Sequence, residues 1–217
     1  DTLTYMHIGI GSGYRAHPND TANQDRFYAL RDYQPFKQLT QAEFDARTIV
    51  TESNLTDVTD DTDAALANDS AGWMIKLGTD GEKVLAEART FNNQVYFTTF
   101  TPGAAPDENN CVPRLGTNRL YIVSLFNGAP VTDLDGSLDD DGNPDESNLT
   151  ATDRYEEFAG SISSEVVFMF PSAEDPDTCE GTECAPPPVA CVDLFCMPTD
   201  FANNPVRTTW TEDRLDR

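Results

Sequence analysis

The sequence predicts an all-β protein, and three observations carry that reading. Short runs of β-branched and aromatic residues recur at close spacing, turn clusters separate them, and almost no helical periodicity is present. Such a pattern fits either a portion of a β-propeller or a sandwich. The clearest stretch is Gly72 to Pro102, which reads as strand, turn, strand, turn, strand, a β-meander. Trp73–Leu77 is closed by Gly78-Thr-Asp-Gly81, Lys83–Ala88 follows, and Phe91-Asn-Asn-Gln94 turns the chain into Val95–Thr101, stopped at Pro102.

The remaining elements are placed in order. Leu3–Ile10 reads as a strand feeding Gly9-Ile-Gly-Ser-Gly13. That Gly-x-Gly-x-Gly has no helix behind it, because Pro18 follows closely, so it reads as a tight turn rather than a dinucleotide loop. Asp25–Asp32 is a strand, and Thr40-Gln-Ala-Glu43 is a capping box that starts a short helix through about Arg47. Thr51–Asp69 is an acidic surface loop with a turn or two of helix. Asn118–Phe126 is a strand ended by Asn127-Gly128, a strong hairpin signal. Ser161–Phe170 and Val206–Thr211 read as later strands. Tyr96, Phe97, Phe100 and Tyr121 are expected in the core. Residues 1–217 are taken as one all-β region, interrupted by an acidic insertion (132–153) and a Cys/Pro-rich loop (171–204).

Composition narrows the function. Asp and Glu total 38 against 14 Lys and Arg, for a formal net charge of −24, which repels nucleic acid and anionic membranes and suits cations or basic partners. The longest clean apolar run, Val166–Phe170, is far too short to cross a bilayer. The chain opens on Asp1 rather than Met, as expected of a processed or excised piece of a longer protein. Of the five cysteines, Cys179, Cys184, Cys191 and Cys196 form two C-x4-C pairs. Structural zinc prefers tighter knuckles, so disulfides in an oxidising compartment are the better reading. Their pairing, and the partner of Cys111, stay open.

One constellation has a ligand spacing. Asp133-Leu-Asp135-Gly-Ser137 and Asp139-Asp-Asp141-Gly-Asn143 repeat D-x-D-G-[S/N], extended by Asp145. Alternating oxygen-bearing side chains with a tight glycine suit Ca2+, which takes six to eight hard oxygen ligands. Counted from Asp139, the sixth position is Pro144 and the twelfth Thr150, so this is not an EF-hand loop; a solvated acidic loop is the competing reading. His7 and His17 are the only histidines, and no nucleophile elbow accompanies them. The sequons at Asn19, Asn54, Asn68 and Asn148 matter only in a glycosylating source.

Gly11-Ser-Gly-Tyr-Arg-Ala-His-Pro18 followed by Asp25-Arg-Phe-Tyr-Ala-Leu-Arg-Asp32 resembles the "GSGxRxHP … DxFYxxxD" run of the PilY-type proteins of type IV pili. The pattern continues in the same order through Glu52–Thr59, Gly72-Trp73, Gly81–Leu85, Val95–Pro102, Cys111, Asn118–Tyr121 and Val206–Trp210. The resemblance implies the C-terminal part of a modified β-propeller at a pilus tip or cell surface. It further implies a non-enzymatic role in pilus assembly and adhesion, under calcium control, with minor pilins, the remainder of a parent chain, or a host or surface ligand as partners. The family's own calcium loop lies upstream of the matched region, so the acidic insertion is a separate candidate. A propeller of four-stranded blades exceeds 217 residues, so bare strand edges and a completing segment are expected. Two alternatives from other classes are a quinoprotein-like propeller enzyme, suggested by the blade ending Leu120–Gly128, and a structural subunit of an extracellular filament.

Overall fold

A computed structural model describes residues 4–103, 115–138, 145, 148–171 and 186–199. Strand dominates, with one five-residue α-helix and two short 3-10 turns among the described residues. The all-β reading holds. The chain divides into two compact units, residues 1–166 with 192–195, and residues 167–191 with 196–217.

The first unit contains two antiparallel-based sheets. The first has the order β1 (Met6–Gly11), β2 (Arg26–Asp32), β4 (Gly72–Lys76), β3 (Thr56–Asp57), with only the β3–β4 pair parallel. The second is built on β7 (Gln94–Thr101) and β8 (Gly116–Ser124), paired through eight residues from Gln94↔Ser124 to Thr101↔Thr117. β9 (Tyr155–Gly160) lies beyond β8. On the other side of β7 lie two short strands, β5 (Lys83–Val84) and β6 (Arg89–Phe91), opposite different parts of it. The helix α1 (Gln41–Asp45) begins on the expected capping box, with Glu43 N–H donating to Thr40 Oγ1 and Thr40 N–H to the Glu43 carboxylate.

An aromatic file joins the two sheets. Trp73 and Phe27 lie on the first, Phe97, Tyr121 and Tyr155 on the second; Phe27 stacks on Phe97 at 3.9 Å between centroids and Phe97 on Tyr121 at 4.6 Å. Large flat side chains on facing strands bury 150–250 Å² each, on the order of 4–6 kcal/mol of transfer free energy apiece. Tyr96, Phe97, Phe100 and Tyr121 are all buried, as expected.

Three sequence expectations need correction here. The Gly72–Pro102 stretch is not a continuous meander: β4 pairs with β2 and β3, while β5 crosses to the second sheet. The crossing is pinned by Glu82, fully buried, whose carboxylate accepts from Gly78 N (2.8 Å), Thr99 Oγ1 (2.7 Å), Tyr121 Oη (3.1 Å) and Arg119 Nη1 (2.8 Å). The strand expected over Lys83–Ala88 stops at Val84, and the Leu85 carbonyl accepts from the Arg15 guanidinium. The glycine run is not a turn. Gly9 and Gly11 lie within β1, and a Cβ on Gly11 would stand 2.2 Å from that of Val84, so glycine is there because β5 crosses hard against β1.

Beyond these strands, β10 (Val167–Met169), β11 (Val189–Val192) and β12 (Phe195–Pro198) form a third sheet in that order. β11 and β12 are a hairpin inside the loop expected over 171–204, turning at Asp193 (φ 52°). Cys191 and Cys196 form a disulfide across it. Cys111, Cys179, Cys184 and the strand expected at Val206–Thr211 lie outside the described residues.

Candidate functional site

Asp133 and Asp135 of the acidic insertion meet Asp153, and one carboxylate oxygen from each lies within 4.8 Å of the others. Local chemistry builds the arrangement. Asp133 Oδ1 accepts from Gly136 N (2.8 Å) and Asp135 Oδ1 from Ser137 N (2.9 Å), so each carboxylate folds the chain back on itself. Gly136 takes φ 70°, a left-handed turn with open space around it, which is what the D-x-D-G pattern requires. Leu134, between the two aspartates, is buried and anchors the loop. Farther along, Asp145 N donates to the Ser137 carbonyl (3.1 Å). Asp139, Asp141 and Asn143 lie outside the described residues.

Asp153 comes from a 3-10 turn over Ala151–Arg154 that leads into β9. Its carboxylate accepts from Thr150 N (2.6 Å) and Thr150 Oγ1 (3.0 Å), a capping box, and from Asp135 N at 3.5 Å. It is fully buried, and Arg154 beside it is fully buried too. The Arg154 guanidinium donates only to backbone carbonyls, those of Gly128 (2.9 Å), Thr59 (2.6 Å), Val58 (2.7 Å) and Asp61 (2.8 Å). Burial lowers its pKa from the ordinary arginine value. This clamp fixes the turn that presents Asp153.

The carboxylates differ in proton affinity. Burial, together with the carboxylates of Asp153 and Asp135, raises Asp133 above the usual aspartate value. The Thr152 hydroxyl and the Ser137 N–H hold Asp135 below it. Like charges this close favour a bound cation, and three hard oxygen donors can hold a metal ion. Sequence spacing identified Asp133 and Asp135 but missed Asp153; the available signal was the Thr150-x-x-Asp153 capping pattern at the end of the insertion.

The histidines sit apart from this cluster. His17 lies tilted against Tyr14, 5.1 Å between ring centroids, and His7 lies between the rings of Tyr5 and Trp73. Burial, reinforced by Arg31, pushes His7 down from 6.5 to about 4. The unfolded chain therefore binds this proton more readily than the fold does. The contribution of His7 is full above pH 6.5 and is lost as pH falls toward 4. Thermal melts across that window should fall less steeply for His7→Phe than for the parent; parallel slopes would refute the assignment.

No family model, curated protein or solved structure matches this chain.

Proposed function

We propose that this chain is a non-enzymatic cell-surface protein, the propeller region of a PilY-like pilus-tip or assembly factor, which acts by binding partners and responds to calcium. The observation that carries the calcium part is the meeting of Asp133, Asp135 and Asp153, oxygen donors only, in a glycine-turned loop closed onto a buried turn. Oxygen-only ligation by carboxylates suits Ca2+ over thiolate- or imidazole-seeking metals. The pilus part is supported by the ordered motifs from Gly11 to Trp210. The acidic composition and the Cys191–Cys196 disulfide are consistent with an oxidising, extracellular setting. In the propeller reading, the two sheets of the first unit are neighbouring blades.

Calcium at about 100 times its dissociation constant should stabilise the protein by roughly 2.7 kcal/mol, a rise in Tm of about 5–10 °C. Asp133→Asn keeps the acceptor for Gly136 N but removes a charge. It should melt slightly higher than the parent in chelator, and should not respond to calcium. An unchanged calcium response would place the site elsewhere. Minor pilins of the source organism should bind the purified chain more tightly in calcium than in chelator; no binding in either buffer would sink the pilus reading.

A further inference from the structure

The free edge of β1 is an exposed, uncharged pairing surface at one side of the first sheet. Natural sheet edges are blunted by charge, proline or shortness. The other edge of the first sheet, β3, has two residues, one of them Asp57; β9, at an edge of the second, carries Glu156 and Glu157. β1 runs for six residues, Met-His-Ile-Gly-Ile-Gly, with no Lys, Pro or carboxylate. Met6, Ile8 and Ile10 stand in a row on one face, 43%, 43% and 54% exposed.

The backbone is oriented to pair outward. Ser12 N donates to Arg26 O, and the β1–β2 register pairs Ile8 with Leu30, so even positions address β2. The N–H and C=O groups of His7, Gly9 and Gly11 therefore address the open edge. Beside that edge lies a groove of about 830 Å3, walled on its far side by Leu85–Ala88 and Glu165 and closed at one end where Val84 N donates to Ser12 O. The groove opens where the chain leaves the ladder between β5 and β6; Gly9 lines it with backbone alone, while Val84 packs directly against Gly11.

We infer that β1 accepts an extended peptide strand from another protein, paired through the His7, Gly9 and Gly11 backbone, with alternate apolar residues and uncharged or basic ends. This deepens the binding reading without depending on calcium. Charge selects the occupant: a chain of net −24 repels acidic peptides and its own copies, and attracts a basic segment.

The test uses the whole chain in chelator with the synthetic peptide KITVTIK, its acidic counterpart EITVTIE as control, and amide hydrogen exchange as readout. KITVTIK should bind saturably, slow exchange at His7, Gly9 and Gly11 about tenfold or more, and bind at least about tenfold tighter than EITVTIE. Ile8→Lys with Ile10→Lys, at exposed positions, should weaken it by a similar factor. If that variant does not fold, exchange in the parent decides alone. Absence of binding, binding without protection at those three amides, or equal affinity for EITVTIE would overturn the inference. So would a dimer in sedimentation equilibrium with those amides already protected, which would make a second copy the occupant. A calcium-insensitive protein that still protects these amides would retain this inference while losing the calcium reading.

Discussion

Arg154→Met is expected to destabilise the first unit by about 3–5 kcal/mol, lowering Tm by roughly 10 °C or more. The side chain donates to four carbonyls from two segments, Val58–Asp61 and Gly128, and it is fully buried. Methionine fills much of the volume but donates nothing, so those carbonyls lose a partner in a place water does not reach easily. Arg154→Lys should recover only part of the loss, because an ammonium has three donors without the planar fork. The same substitutions should weaken calcium-dependent stabilisation, since Asp153 is the preceding residue of the same turn. A thermal melt with and without calcium reads both effects; a loss below about 1 kcal/mol for Arg154→Met would show that the clamp is incidental.

Gly11→Val is expected to cost about 3 kcal/mol or more, among the largest effects of any small substitution in the chain. A Cβ at Gly11 would meet Val84 Cβ at 2.2 Å and both its methyl groups at 2.4 Å. These atoms sit next to two backbones, so no rotamer change removes the clash and the sheets must part. Gly11→Ala should be less severe, and pairing it with Val84→Gly should recover much of its loss, since the close approach is preserved with the roles exchanged. Urea unfolding of the two singles and the double measures this coupling; additive losses would mean that the contact does not set the spacing.

These two sites show what was legible in the sequence. The β-branched and aromatic runs mark β2, β4, β7 and β8 because those strands are buried and their composition answers to packing. β9, Tyr-Glu-Glu-Phe-Ala-Gly, was missed because it is an edge strand whose side chains face solvent as often as core, so its pattern carries no apolar signal. The glycine run was visible but misread: spacing alone does not distinguish a turn from a strand crossed at close range, since both need the absence of Cβ. Two of the three carboxylates of the cluster were legible for the same local reason that it exists, the hydrogen bonds by which Asp133 and Asp135 turn the loop back on itself. Asp153 was not, because its approach depends on Arg154 and on contacts more than ninety residues away in sequence.

The position of the disulfide has a mechanical consequence. Cys191 and Cys196 are only five residues apart, so a chain pulled taut through this hairpin would have just about 17 Å of its contour locked away by the bond. A protein loaded in tension would gain little reach or resistance from that bond. The load would instead fall on the eight registered pairs between β7 and β8, the longest ladder among the described strands. Pulled along the strand direction, those bonds share the force and yield together; pulled at one end, they open one at a time. The attachment points of this chain would thus decide whether it behaves as a stiff link or as one that pays out under load.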